Sequence, residues 1–354
     1  RVTVAIAATA PAIAMRARDG EPSLHALAER QSGEFETRKA SADAECFWLY
    51  SSGTTGRPKG VIHVHRDIVA TCQFYAVEVL GAEESDIFYS IPRLFFAYGL
   101  GCAMSFPLWV GGTALLDPRR PTPESAVELI VKFKPTIFAA VPTFLAALLA
   151  TSAVTADDLK CLRRCVSGGE ALPEELQKRW LRVAPVPITD GIGSTEALHI
   201  YISNSIADIR PNASGRVVPG YQARILDEKG AEIADDSPGR LWIKGPSVTA
   251  RYWNNPEKTA TSIVDGWLDT GDTYQRDAEG YYYYRGRNDD MLKVGGIWVS
   301  PFEVEGALMA HPDIVEAAVV GRADESQLVK PEAWIVLKDP NRASEKLADD
   351  IRAH

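Results

Sequence analysis

The chain has 354 residues, of which 46% are hydrophobic and 24% charged, so it is long enough to bury a sizeable core. A formal net charge of −9 argues against a nucleic-acid partner, which selects a basic surface. The five cysteines form no CxxC pair, and the longest apolar run, from Ile137 to Ala150, contains Pro142 and is too short to span a bilayer. These features predict a cytoplasmic protein with reduced cysteines and no membrane partner.

The first half of the chain predicts an α/β layer. The first twenty residues are apolar without a basic leader region, which predicts a strand and a helix of a domain already under way, so that the start of this domain is missing. From Phe47 to Val141, apolar runs alternate with helical stretches, a pattern typical of parallel strands. Helical spacing over Ser125 to Phe133 ends before Pro135, and a buried strand follows.

The second half of the chain has a different pattern of apolar and turn residues. From Ser214, short strands separated by Gly, Asp and Pro turns predict a mainly β subdomain. After Arg287 we expect a short strand and then a helix with Ser300 as N-cap, Pro301 at its first position and Glu303 completing a capping box. Two more strands follow. We therefore predict a large domain over residues 1–288 and a small, truncated α+β domain over residues 289–354.

A loop rich in hydrogen-bond donors lies between Tyr50 and Val61, with the sequence SSGTTGRPKG. Its glycines allow tight turns, and Lys59 adds a positive charge. Many N–H and O–H donors with one cation are what a loop that wraps polyphosphate needs. The pattern GxxxxGK[ST] is absent, so this is not a Walker A loop. The residues that we expect to hold phosphate are Ser51, Ser52, Gly53, Thr54, Thr55, Gly56 and Lys59.

This loop closely resembles the signature loop of the adenylate-forming superfamily, which includes acyl- and aryl-CoA ligases, the adenylation domains of peptide synthetases, and luciferases. Other segments resemble the remaining family motifs in the expected order: SGGEAL (167–172), DGIGSTE (190–196), GRLWIKGPSVTARYW (239–253), GWLDTGD (266–272) and YRGRNDDMLKVGGIWVSPFEVE (284–305). Within the superfamily, RLFFAYGLG and DGIGSTEALHIYISN look most like benzoate-CoA ligases.

The resemblance implies a fold and a reaction. The fold is a large domain of layered α/β structure with a β-rich subdomain, followed by part of a small α+β C-terminal domain. The reaction is the ATP-dependent activation of benzoate or a substituted benzoate to an acyl-adenylate, with release of pyrophosphate. Transfer to CoA then gives an aryl-CoA thioester and AMP, a step of aromatic acid degradation.

The resemblance also implies roles at a nucleotide site. Glu196 matches the Mg²⁺-associated acid, and Thr195 matches a hydroxyl that contacts phosphate; a carboxylate suits Mg²⁺, which prefers oxygen ligands. Asp272 and Arg287 match the contacts to the ribose. Tyr284 would close an adenine slot whose walls resemble Gly168, Gly169, Glu170, Ala171, Asp190, Gly191 and Ile192.

For the acid, the resemblance implies a pocket lined by Ala97, Tyr98, Gly191 and His199. The small residues would leave a slot for a flat ring, although His199 is equally well interpreted as a core histidine. Amino-acid-activating domains carry an aspartate here that pairs with the substrate ammonium, whereas no Asp or Glu occurs from Ile87 to Leu116. Because a buried unpaired ammonium is costly, we expect a substrate without an α-amine. His63 and His65 are interpreted as structural.

The second half-reaction involves the small domain. By resemblance, Asp289 is the hinge about which this domain rotates, Lys293 faces the site only in the second orientation, and Gly295 and Gly296 let the pantetheine arm of CoA pass. The family's adenylation lysine lies in a motif like PKTxxGK, which is absent here.

Three alternatives stay open on the sequence. The chain could be a medium-chain or branched acyl-CoA ligase, or an adenylate-binding remnant without turnover. The acceptor thiol could belong to a carrier protein, because it presents the same pantetheine group. The sequence leaves ring substituents and oligomeric state open.

Overall fold

A computed structural model of the chain describes residues 26, 28–34, 36–51, 58–151, 154–288, 292–294, 297–323 and 329–354. Several predictions fall outside these residues: the strand and helix within the first twenty residues, the loop positions Ser52 to Gly56, the hinge Asp289, and Gly295 with Gly296. Of Lys293, only the backbone is described. The chain divides into two units, Arg1–Ser41 and Ala42–His354, and every element named below belongs to the second.

The described strands are β1 Glu45–Ser51, β2 Lys59–Val64, β3 Ile87–Ser90, β4 Thr113–Leu115, β5 Ile137–Ala140, β6 Arg164–Ser167, β7 Ile188–Gly193, β8 Ile200–Ser203, β9 Arg216–Val217, β10 Gln222–Leu226, β11 Gly239–Lys244, β12 Ile263–Val264, β13 Trp267–Arg276, β14 Tyr282–Arg287, β15 Leu292–Val294, β16 Ile297–Val299, β17 Ile314–Ala323 and β18 Val329–Leu337. The described α-helices are α1 His65–Ala70, α2 Ala97–Leu100, α3 Phe106–Val110, α4 Pro123–Phe133, α5 Pro142–Ala150, α6 Glu174–Trp180, α7 Pro256–Ser262, α8 Pro301–Ala310 and α9 Glu345–Ala353. Two π-helical segments, Thr71–Val77 and Gly101–Ser105, extend α1 and join α2 to α3.

A two-stranded antiparallel ribbon opens the second unit. In it β1 pairs with β2, with Tyr50 opposite Gly60 and Ser51 opposite Lys59. The expectation that the parallel layer begins at Phe47 is therefore wrong for these two strands. Only residues 52–58 connect them, too few for the crossover that parallel strands require. The ribbon places both ends of the predicted phosphate loop side by side.

A seven-stranded sheet forms the main layer, in the order β4-β3-β5-β6-β7-β8-β9. The pairs from β4 to β7 are parallel, which confirms the predicted α/β arrangement, and β8 and β9 add antiparallel strands. Strand β5 is buried along its whole length. The predicted helix is α4, which Thr122 caps by accepting from the backbone N–H of Ser125. The sheet brings the carboxyl ends of β6 and β7 together.

The predicted β subdomain is confirmed as a five-stranded antiparallel sheet. Its order is β10-β11-β13-β12, with β14 also paired to β13. In the β13–β14 pair, Asp272 lies opposite Arg287. Asp272 and Arg287, which are fifteen positions apart in the sequence, are thus direct neighbours in the sheet.

The last part of the chain contains α8, the β17–β18 ribbon and α9. Ser300 caps α8 by accepting from the backbone N–H of Glu303, as predicted. The second half of the capping box is wrong, because the Glu303 side chain accepts from Arg285 instead. Ile314, Leu347 and Ile351 form a small core between the ribbon and α9. A domain boundary before residue 289 stays a prediction. Within the described residues, no helix is long and apolar enough to cross a membrane.

Candidate active site

The larger of two adjoining cavities, about 610 Å³, lies at the carboxyl ends of β6 and β7. Ligands of α/β sheets bind at this edge because loops diverge there. Most of the residues predicted to bind nucleotide meet in this cavity. They are Ser51, Lys59, Gly169, Glu170, Ala171, Asp190, Gly191, Ile192, Glu196, Asp272, Tyr284 and Arg287.

Glu196 is the centre of a charged cluster in this cavity. Its Oε1 lies 2.6 Å from Lys59 Nζ and accepts a hydrogen bond of 2.9 Å from the Tyr252 hydroxyl. Burial by itself raises the pKa of Glu196, but the Lys59 ammonium and the Tyr252 hydroxyl outweigh it, so that the net pKa is lowered. Glu196 is therefore an ionised, buried carboxylate at neutral pH. Lys59 and Glu196 are 137 residues apart in the chain, and the fold brings them together.

The turn that carries Glu196 is a short 3-10 helix, Thr195–Ala197, capped by Ser194. It ends at Leu198, whose φ of 65° lies in the left-handed region. A bulky residue rarely adopts this conformation, which costs about 1 kcal/mol or more. The surrounding structure must hold the turn in place against this strain.

Asp272 and Arg287 form the predicted ribose-binding pair. Arg287 Nη1 donates to Asp272 Oδ1 at 2.9 Å and also to the backbone carbonyl of Thr270. Burial raises the pKa of Asp272 to about 6, and the Arg287 guanidinium opposes this only in part. Asp272 is thus mainly ionised at neutral pH and can accept hydrogen bonds from a diol.

Three aromatic rings and a carboxylate shape the rest of the cavity. The Tyr284 ring meets Tyr274 and Phe302 edge to face, with centroid distances of 5.6 and 5.3 Å. The Glu170 carboxylate accepts from both the backbone N–H and the hydroxyl of Thr143, at 2.9 and 2.6 Å. This contact ties the loop after β6 to the start of α5.

Asp190 is a half-buried acid of the cavity whose carboxyl oxygen Oδ1 is enclosed by protein atoms. Burial raises its pKa to about 8, against smaller opposing effects from Ser167 and the Gly191 backbone. Its Oδ1 is buried and has no hydrogen-bond partner within the described part of the chain. The side chain is therefore mainly a neutral carboxylic acid at pH 7.

This burial predicts a pH-dependent stability that Asp190→Asn removes. The unfolded pKa of an aspartate is near 3.9 and the folded value is higher, so between about pH 4 and pH 8 folding takes up a proton and stability falls as the pH rises. The slope is at most about 1.4 kcal/mol per pH unit. Urea unfolding of both proteins from pH 5 to 8 measures it. We expect the variant to gain stability relative to the parent as the pH rises; identical slopes would contradict the assignment.

The second cavity, about 590 Å³, adjoins the first and is mainly apolar. It is lined by Ala97, Tyr98 and His199, three of the four residues predicted to hold the acid. Gly191 lines only the first cavity, whereas Gly168 and Thr195, predicted at the nucleotide, line the second. The residues common to both are Gly169, Glu170, Gly193 and Ser194. A molecule in one cavity is thus in reach of a molecule in the other.

His199 combines both interpretations that the sequence left open, because it is buried and also lines the cavity. Its ring centroid lies 4.6 Å from Phe106, 4.9 Å from Tyr75 and 5.7 Å from Tyr98. Burial lowers the pKa of His199 to about 3, so the ring is neutral. Tyr98 is held beside it, since its hydroxyl lies 2.9 Å from the carbonyl oxygen of Val166 and 3.2 Å from that of Ala140.

Glu196 can bind Mg²⁺ without a second protein ligand. The described residues contain no group of three or more His, Cys, Asp or Glu side chains that could hold a metal ion. Mg²⁺ is commonly bound by one or two carboxylates together with water and substrate phosphates, and does not require an all-protein cage. An ionised carboxylate on the wall of the larger cavity fits that mode of binding.

Sequence reasoning missed Tyr252 as a site residue. Its hydroxyl donates to Glu196, and it also accepts from Lys59 at 3.2 Å. Tyr252 stands at the end of a motif that the sequence already singled out, GRLWIKGPSVTARYW. No spacing rule assigns it to Glu196, because the contact spans 56 residues.

Comparisons with known proteins match this arrangement. A family described as AMP-binding enzyme matches residues 4–253, and one described as AMP-binding enzyme C-terminal domain matches residues 303–354. The chain is 51% identical to a benzoate–CoA ligase of Thauera aromatica over 336 residues, 95% of this chain and 64% of that protein.

Two solved structures are also similar. An anthranilate CoA ligase in complex with anthranoyl-AMP has a TM-score of 0.91 and 42% identity, and covers 97% of this chain and 65% of its own. A benzoate CoA ligase from Burkholderia xenovorans has a TM-score of 0.88 and 41% identity, and covers 95% of this chain and 67% of its own. The chain thus spans about two thirds of the length of these relatives.

Proposed function

The chain belongs to the AMP-binding enzyme family, and from this premise we propose that the full-length protein activates benzoate or a substituted benzoate with ATP and transfers the acyl group to CoA. The observation that carries the proposal is the shared wall of the two cavities. A polar cavity with an ionised carboxylate and a cation opens beside an apolar one that suits an aromatic ring. A nucleotide and an aromatic acid bound there would be neighbours.

The first half-reaction joins two anions, so its main barrier is the electrostatic repulsion between them. A carboxylate oxygen attacks the α-phosphorus of ATP, pyrophosphate leaves, and a mixed anhydride with AMP forms. Lys59 brings a positive charge to the phosphates, while Asp272 and Arg287 orient the ribose. Mg²⁺, held by Glu196, would supply electrostatic stabilisation of the negative charge that develops on the phosphate oxygens.

The preference for an aromatic acid is supported by the shape and polarity of the second cavity. Tyr98 and the neutral His199 offer flat aromatic surfaces to a ring. The described wall contains no carboxylate that would pair with a substrate ammonium, apart from Glu170, whose carboxylate accepts from Thr143. Relatives that are benzoate–CoA ligases support the same choice over a medium-chain or branched acid.

For the second half-reaction we propose that CoA attacks the acyl carbon through its thiol and AMP leaves. Asp289 is the proposed hinge for this step, Lys293 the residue that then faces the site, and Gly295 with Gly296 the passage for pantetheine. A carrier-protein thiol is the second candidate acceptor. Five free cysteines together with these substrates favour a cytoplasmic location.

The test is an assay of AMP release by the full-length protein against a panel of aryl and alkyl acids. We expect the highest kcat/KM with benzoate or a ring-substituted benzoate, and CoA-dependent AMP release. A preference for butyrate or hexanoate would overturn the aryl assignment. Absence of AMP release with every acid would favour the adenylate-binding remnant.

A further inference from the structure

We propose that His63 is a positioning residue that sets the distance between Lys59 and Glu196. The motifs leave this histidine without a role, although it is fully buried beside the active site. Its ring links the strand that follows the phosphate loop to the turn that carries Glu196. The inference rests on the proposed function only where activity is measured.

The contact to the turn is a single well-formed hydrogen bond. His63 Nε2 lies 2.8 Å from the backbone carbonyl oxygen of Thr195. A carbonyl can only accept, so Nε2 carries the proton and donates it. The bond holds the residue directly before Glu196.

The other ring nitrogen is fixed as well. His63 Nδ1 lies 2.8 Å from Asp67 Oδ2, and the same oxygen accepts from the backbone N–H of Val64. The ring of Phe47 packs on the imidazole at a centroid distance of 5.4 Å. His63 therefore has one orientation, which aims Nε2 at the turn.

The turn is held from outside at each of its three carbonyls. Thr195 accepts from His63, Glu196 accepts from the backbone N–H of Thr249 at 2.8 Å, and Ala197 accepts from the Ser247 hydroxyl. Of these three bonds, only the one from His63 comes from β2. The other two come from the loop after β11, which is itself joined to β2 where the Thr249 hydroxyl donates to the Ile62 carbonyl at 2.6 Å. His63 thus supplies the direct bond between β2 and the turn, and Thr249 an indirect one.

Strand β2 also carries Lys59, and this gives the bond its consequence. Lys59 and His63 are four residues apart, so they lie on one face of the strand and about 13 Å from each other. Lys59 contacts the Glu196 carboxylate, and His63 contacts the backbone one residue earlier. We call these two contacts the clamp. The His63 ring, which has one orientation, fixes the backbone next to Glu196, and the flexible Lys59 side chain then meets the Glu196 carboxylate at a constant distance.

A pair of isosteric variants separates the two hydrogen bonds of His63. The amide nitrogen of glutamine takes the place of Nε2 and can still reach Thr195, whereas that of asparagine takes the place of Nδ1 and reaches only Asp67. We expect His63→Gln to retain ATP–pyrophosphate exchange by the full-length enzyme within about threefold. We expect His63→Asn to lower it about tenfold, the size of effect that loss of one buried hydrogen bond produces.

Hydrogen exchange supplies a readout that does not depend on activity. Backbone amides of residues 194–198 are expected to exchange faster in His63→Asn than in the parent, and at the parent rate in His63→Gln. Two results would overturn the proposal. One is an equal loss of ATP–pyrophosphate exchange in both variants, and the other is an unchanged rate of amide hydrogen exchange in His63→Asn. If the parent enzyme forms no adenylate at all, the proposed function fails, while the amide measurement still decides on the clamp.

Asp67→Asn tests whether the effect of His63→Asn comes from the contact between His63 and Asp67. It keeps the size of the side chain and an acceptor for Val64, and removes the carboxylate that faces Nδ1 of His63. Pyrophosphate exchange is expected to stay within about twofold of the parent. A loss as large as that of His63→Asn would place the effect in the buried pair and not in the bond to Thr195. If the His63 variants do not fold, NMR of the parent protein tests the bond directly: we expect a slowly exchanging proton on Nε2 of His63, and a ring proton on Nδ1 alone would overturn the proposal.

Discussion

Replacing Glu196 by glutamine in the full-length protein is expected to lower Mg²⁺-dependent adenylate formation by about 10²-fold or more. The substitution keeps the size of the side chain and its contacts to Lys59 and Tyr252 within reach, but it removes the negative charge that would hold the metal ion. Loss of one preorganised electrostatic group typically has an effect of this size. ATP–pyrophosphate exchange with benzoate measures it directly.

The control for Glu196→Gln is Glu228→Gln, which changes an exposed glutamate in the turn after β10. We expect that variant to exchange pyrophosphate at the parent rate. Raising the Mg²⁺ concentration should recover part of the activity of Glu196→Gln, since a weaker site fills at higher metal concentration. A near-normal exchange rate in Glu196→Gln would remove Glu196 from the mechanism.

The second large effect is expected at Ala97. Its side chain is buried, lines the apolar cavity and packs against Leu49 and Leu198. Ala97→Leu adds three carbon atoms to a close-packed wall, and overfilling of this kind costs roughly 1–3 kcal/mol, or about 5–150-fold in selectivity. We expect kcat/KM for benzoate to fall by such a factor, and that for butyrate to fall less, because a short chain can bend around the added group.

Two controls separate a pocket effect from a general loss of stability. Ala146→Leu enlarges a partly buried alanine packed against the core around Trp180, away from both cavities. It is expected to leave the ratio of benzoate to butyrate activity unchanged. The KM for ATP should be unaltered in Ala97→Leu. An unchanged ratio in Ala97→Leu would show that the ring does not contact this residue.

The motifs predicted many of the residues that line the larger cavity, because each motif is a short local segment of sequence. Gly169, Asp190, Asp272 and Arg287 lie together as expected. Gly169 follows β6 and Asp190 lies on β7 of the main sheet, whereas Asp272 and Arg287 face each other on β13 and β14. Local patterns also predicted the helix over Ser125 to Phe133 and the N-cap Ser300 of the later helix. Such features depend on neighbours three or four residues away, which a sequence displays directly.

Contacts between distant segments could not be predicted in this way. Lys59, which was predicted at the phosphates, contacts Glu196, and no local pattern links these two residues. Tyr252 and His63 reach the same turn from two other segments. Gly168, which was predicted at the nucleotide, lines the apolar cavity. The Glu303 carboxylate accepts from Arg285, eighteen residues earlier in the chain, which local capping rules do not predict.

The most direct test of the account is to trap the first product. The full-length protein is incubated with benzoate, ATP and Mg²⁺ but without CoA, and the bound small molecules are identified by mass spectrometry. The account predicts benzoyl-AMP with one equivalent of pyrophosphate, and its conversion to benzoyl-CoA and AMP when CoA is added. Formation of ADP with benzoyl phosphate, or no mixed anhydride from any aromatic acid, would contradict it.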